Sequence, residues 1–167
     1  MRYLTIVRHA KATPARAGAS DFDRTLSERG VSQCARLRAW ASDLAELGRF
    51  GPCVALVSAA RRTQQTFEMA FDGTALVRSV EVTNDIYNGV RDVSADTLLE
   101  ALARVDPLDA SLMLIAHNPS VLELLWTLTG ELAPEGFKTA GAYVVALDGD
   151  ARIDQCGYEL VASYVPD

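Results

Sequence analysis

Short apolar runs alternating with segments of helical period constrain this chain more than any other feature. YLTIVRH (3–9), VALVS (54–58), SLMLIAH (111–117) and AYVVAL (142–147) are nearly unbroken apolar stretches of strand length. Strands that are apolar on both faces belong to sheets covered by helices on both sides, and such sheets are largely parallel. The segments between them supply the helices. Residues 27–47 carry Val31, Ala35, Leu37, Leu44 and Leu47 near helical spacing, with Gly48 as a stop. Residues 60–71 form a second helix closed by Gly73, and 95–105 a third with Ser94 as N-cap. Asn118 is expected to cap a fourth, with Pro119 in its first turn and Gly130 at its end. LVRSVEV (76–82) reads as a strand interrupted by polar Arg78 and Ser79, and 142–147 and 151–165 as a terminal pair of strands turning through DGD. The expected fold is a three-layer α/β/α sandwich with a mostly parallel sheet and an antiparallel edge, in one domain over residues 1–167.

In an open α/β sheet, ligands bind beyond the carboxyl ends of the strands. Three strands of this reading deliver polar residues there. The first ends on Arg8-His9, the second passes from Ser58 into AARRTQQT, and the third ends on His117. The chain has 2 histidines, and both fall on this edge. Arginines at the start of a helix oppose the helix dipole, unless both face a bound anion. Metal binding suits this set poorly, because neighbouring arginines repel a cation. A phosphoryl group suits it well: guanidinium forks match its oxygens, and a neutral imidazole is a competent nucleophile. Nearby arginines disfavour imidazolium and keep that nucleophile free. Arg8 is therefore expected to hold a phosphoryl group that His9 attacks.

The net charge of −6 at pH 7 repels nucleic acid at long range and makes a local arginine cluster stand against the global field. The first residues contain no leader pattern and no apolar run long enough for a membrane span, so a cytoplasmic protein without membrane attachment is expected. Cys34, Cys53 and Cys156 are odd in number and widely spaced, as reduced thiols would be. Residues 12–23 are small and polar, and read as a mobile loop beside the Arg8-His9 edge.

VRHAK, LVSAARRTQQT and LIAHNP together resemble the histidine phosphatase, or phosphoglycerate mutase-like, superfamily. The family's R-H-G stands here as Arg8-His9-Ala10, and its S-x-x-x-R-A-x-x-T as Ser58, Arg62, Thr63 and Thr66. That register selects Arg62 over Arg61. The third motif is His117, and DFDRTLSERG (21–30) resembles the segment preceding the family's first long helix. The short chain, RHAK and HNP are most similar to the SixA-type phosphohistidine phosphatases. The resemblance implies a phosphohistidine intermediate on His9, with Arg8, Arg62 and His117 binding the phosphoryl group, and no metal or organic cofactor.

Larger members carry a glutamate general acid after the strand that follows the second motif. VTNDIYNGVRD offers Asp85 as the nearest candidate, ahead of Asp92 and Asp96. A P–N bond to imidazole needs less protonation than an ester oxygen does. The stretch between Arg62 and His117 is also too short for a lid domain. Both points favour phosphohistidine on a signalling protein as substrate and a phosphate-like anion in the site, with the enzyme acting as a monomer. A small-molecule phosphomonoesterase, which would need a working Asp85, and a silent phosphate-binding module are the alternatives.

Overall fold

The computed structural model describes residues 1–89 and 91–167. Its strands form one six-stranded sheet. In chain order the elements are β1 (Arg2–Arg8), α1 (Glu28–Leu47), β2 (Cys53–Ser58), α2 (Arg61–Ala70), β3 (Val77–Thr83), α3 (Ala95–Val105), β4 (Ser111–Ala116), α4 (Ser120–Thr129), β5 (Ala142–Asp148) and β6 (Gly157–Tyr164). The strand order is β3-β2-β4-β1-β5-β6. The first four are mutually parallel, while β5 runs antiparallel to β1 and β6 antiparallel to β5.

Alternation along β4 shows why the central strands lack polar positions. Leu112 and Leu114 pack in a core with Leu98 and Leu102 of α3 and Leu124 and Leu125 of α4. Met113 and Ile115 point to the other side, into a core with Leu37 and Leu44 of α1 and Phe67 of α2. Both faces are dry, so a period-two polar pattern would place polar atoms in apolar surroundings. At the sheet edge the demand lapses: five of the seven β3 residues are exposed, and Arg78 and Ser79 interrupt nothing.

Three local expectations need correction. In α1 the buried stripe is Gly30, Gln33, Cys34, Leu37, Ala41 and Leu44, whereas Val31, Ala35 and Leu47 face outward. Gln33 lies in the stripe because its side chain is spent on polar work: Oε1 accepts from Lys11 N at 2.8 Å and Nε2 donates to Thr139 at 3.1 Å. Pro119, not Asn118, occupies the N-cap of α4 and makes no side-chain cap bond, having no acceptor to offer, while Asn118 Nδ2 donates to Phe137 O. The last strand begins at Gly157, since Ile153–Gln155 form a 3₁₀ turn. Ser27 and Ser94 cap α1 and α3 through their hydroxyls, the latter in a reciprocal capping box with Thr97.

Candidate active site

Register brings the motifs together. Arg8 pairs with Ala116 across β1 and β4, and Val57 pairs with Ile115 across β2 and β4. The carboxyl ends of these three parallel strands therefore reach one edge side by side, carrying His9, Ser58 and His117. A cleft of about 240 Å³ opens there, lined by Arg8, His9, Arg62 and His117 together with Lys11, Asp21, Arg24, Tyr87 and Asn118, among others. Of the residues expected at the site, four are thus brought together. Asp85 is not among the lining residues.

His9 and His117 are both buried, at 9% and 4% exposure, with ring centroids 5.2 Å apart. Nδ1 of His9 lies 2.7 Å from Ala10 O. A carbonyl only accepts, so Nδ1 carries the proton and Nε2 keeps its lone pair. Burial is the main force lowering the His9 pKa to about 4; the carbonyl bond opposes it, and Arg62, Arg8 and Arg24 reinforce it. His117 is lowered to about 3, mainly by burial and then by His9 and Arg62. Both rings are neutral at pH 7. Ser58, fully buried, bonds Nε2 of His117 at 2.7 Å and fixes the ring on the cleft floor.

The two arginines are held differently. Arg8 donates from Nη1 to Phe137 O at 2.8 Å, while its buried Nε has no protein partner. Burial lowers its pKa. A buried guanidinium N–H without a protein partner is costly, and an anion oxygen entering the cleft would satisfy it. Arg62 is buried and Arg61 is exposed, as adjacent positions about 100° apart on a helix require. Arg62 donates to Asp21 O at 2.8 Å and Asp21 Oδ2 at 3.2 Å, and its Nη2 lies 3.4 Å from His117 Nδ1. Thr66 ties the motifs to one another: its hydroxyl donates to Arg62 O and accepts from Ala10 N.

Asp21 belongs to the stretch read as a mobile loop, where residues 21–23 instead form a 3₁₀ turn over the cleft. Its carboxylate receives the Tyr87 hydroxyl at 2.7 Å and Arg24 at 2.9 Å in addition to Arg62. Partial burial alone would raise its pKa, but Tyr87, Arg24 and Arg62 outweigh that and hold it well below the usual carboxylate range. Asp21 is ionised and has no proton to give at neutral pH. Asp21 and Tyr87 had no signal in apolar periodicity; the DFDR pairing of acid and base was the only trace. Asp85 lies in a separate groove beside β3 and α3, 3.4 Å from Arg104 and 3.8 Å from Arg91, its side chain half-exposed.

No family model and no curated protein sequence matches the chain. Solved structures do match over essentially its whole length. A protein from Agrobacterium tumefaciens provisionally named phosphohistidine phosphatase SixA is 27% identical, with 99% of this chain and 98% of that chain covered and a TM-score of 0.79. The protein histidine phosphatase SixA solved with tungstate is 26% identical, at 96% and 95% coverage and a TM-score of 0.74. The chain is thus similar in fold, over nearly its whole length, to phosphatases of the histidine phosphatase superfamily. A mycobacterial glucosyl-3-phosphoglycerate phosphatase, 16% identical, shares the fold over 96% of this chain and 97% of its own, with a TM-score of 0.66. Neutral imidazoles set between guanidinium groups suit phosphoryl transfer. Among the described residues no group of three or more His, Cys, Asp or Glu side chains is placed to hold a metal ion, and no helix is long and apolar enough to cross a membrane.

Proposed function

We propose that this phosphatase hydrolyses phosphohistidine on a protein through a phosphohistidine intermediate on His9. The observation that carries the reading is the tautomer of His9. With Nδ1–H committed to Ala10 O, Nε2 presents its lone pair in a cleft lined by three arginines, Arg8, Arg24 and Arg62. Arg8 and Arg62 draw the phosphoryl oxygens into line, and Arg62 releases Asp21 to do so. Nε2 forms a bond to phosphorus as the P–N bond to the substrate imidazole breaks, and the departing imidazole takes a proton from water. A water molecule then attacks phosphorus and gives its proton to the hydroxide left by the first step, the bond to His9 Nε2 breaks, and phosphate leaves with His9 restored. Imidazole departs readily from a loose transition state, which suits a cleft whose one carboxylate, Asp21, is held ionised. His117, anchored by Ser58, binds a phosphoryl oxygen. The enzyme acts without a metal, as a cytoplasmic monomer serving phosphohistidine signalling.

Brief exposure to a labelled histidine-phosphorylated domain, followed by denaturation, tests this. Acid-labile, alkali-stable label should remain on the wild type and be absent from His9→Ala. Persistence of the label in that variant overturns the assignment of the nucleophile. Faster turnover of sugar phosphates than of phosphohistidine overturns the substrate, in favour of a small-molecule phosphomonoesterase. Activity lost to a chelator and restored by zinc or magnesium overturns the metal-independent mechanism.

A further inference from the structure

The cleft does not end at the catalytic groups. Arg8, Lys11 and Thr139 line it and also line a second groove, whose far side is built by Arg29, Gln33, Lys138, Pro166 and Asp167. Together the two hold Arg8, Lys11, Arg24, Arg29, Arg62 and Lys138, which is 6 of the chain's 16 basic residues, against Asp21 and Asp167, which is 2 of its 22 acids. A chain of net charge −6 thus turns a positive strip outward on one side of its active site. The cations of the outer groove are only lightly spent: Arg29 reaches Asp167 O at 3.4 Å and Lys138 reaches Pro166 O at 3.3 Å. Lys138 also pairs with Glu135 at 3.0 Å, a carboxylate that is three-quarters exposed. Low-dielectric walls beside such a strip focus its field, and rim charges act chiefly on encounter and orientation.

We propose that this groove docks an acidic surface flanking the phosphohistidine of the partner protein, with Arg29 and Lys138 as its specificity-determining contacts. The inference rests on the phosphohistidine reading above and adds the partner's chemistry to it. A free phosphoramidate fills only the catalytic cleft. A phosphorylated domain extends past Lys11 along the groove, where its carboxylates meet Arg29 and Lys138. The main-chain oxygens of Pro166 and Asp167 that now touch these cations at 3.3 and 3.4 Å give way to the partner's carboxylates.

Phosphoimidazole and a histidine-phosphorylated phosphotransfer domain with an acidic face serve as paired substrates. Arg29→Glu combined with Lys138→Glu should raise KM for the domain about tenfold or more at low ionic strength and flatten its salt dependence. kcat/KM for phosphoimidazole should stay within about twofold. Equal losses on both substrates, or no change with the domain, overturn the docking surface and leave the phosphatase reading standing. Failure of the wild type to hydrolyse phosphoimidazole overturns that reading and this inference with it. Binding of duplex DNA or anionic vesicles that displaces the domain also overturns it, by showing an indiscriminate polyanion strip.

Discussion

Asp21 and Asp85 each stand between two arginines, yet they inhabit different chemistry. Asp21 sits over the cleft within 3.2 Å of Arg24 and Arg62 and takes a third bond from Tyr87. Asp85 meets Arg91 and Arg104 at 3.8 and 3.4 Å, and the three side chains are 48–61% exposed. Water screens the second set, and such pairs contribute about 0–1 kcal/mol. Residue type is the same in both places. What differs is who else shares the arginine. Arg62 also touches His117, so its charge is part of a preorganised cleft, while among the described residues Arg104 hydrogen-bonds Asp85 alone. The contrast teaches that proximity in sequence to a family's acid position counts for less than the register of the strand that carries the residue.

The largest effects should come from the inner set. His9→Ala should lower kcat by on the order of 10⁴-fold or more if the proposed covalent route through His9 is used. Arg62→Ala should cost about 10²–10³-fold in kcat/KM, the loss expected when a preorganised charged donor is removed. The outer counterpart, Arg104→Ala, should remain within about twofold. Comparable losses from Arg62→Ala and Arg104→Ala in steady-state kinetics would erase the distinction between the two regions.

Gly30→Ala should sharpen it through the backbone. A Cβ at this helical position would stand 2.1 Å from Lys11 O, the carbonyl that also accepts from Ser27 N and Ser27 Oγ. Alanine is the better helix former, yet the displaced main chain should cost about 1–3 kcal/mol and move the segment that follows His9. Denaturant unfolding measures the first effect and kcat/KM the second; an unchanged pair of values would show that the turn yields freely.

Acid should weaken the whole fold through the inner region. The pKa values of His9 and His117 are lowered to about 4 and 3, while an unfolded chain titrates near the usual 6.5. The unfolded state therefore binds more protons between these limits, so stability is full above pH 6.5 and falls as pH drops towards 4. The slope is about 1.4 kcal/mol per pH unit for each histidine. Unfolding free energies at a series of pH values test this, and His117→Gln should remove its share. A flat profile between pH 6.5 and 4.5 would contradict neutral buried rings. The smallest effect belongs to Asp85→Asn: less than about 0.5 kcal/mol of stability and under about twofold in phosphohistidine hydrolysis.

The legible parts of the molecule are those where one physical demand dominates. β4 reads as a buried strand because both its faces meet helices, and His117 reads as a site residue because nothing apolar explains it at the strand's end. The α1 stripe was less legible, since Val31 and Leu47 fit the helical period while Gln33, polar by type, fills a buried position through Lys11 and Thr139. Asp21 and Tyr87 come together across 66 positions of chain, and no local pattern encodes that meeting. Asp85 was the reverse case, near the site in sequence but carried by β3 to a groove shared with α3.

The cysteines have a consequence for the enzyme's durability. Cys34 and Cys53 are buried, and burial pushes their thiols up to about 11 and 12; Cys156, partly buried, is also raised. None lines the catalytic cleft. Thiolate is the form that peroxide attacks, and at neutral pH these side chains hold almost none of it. A phosphatase that uses cysteine as nucleophile exposes its reactive centre to oxidants by necessity. With an imidazole in that role, as proposed, and its sulfur protonated, this one should keep turning over through a burst of hydrogen peroxide.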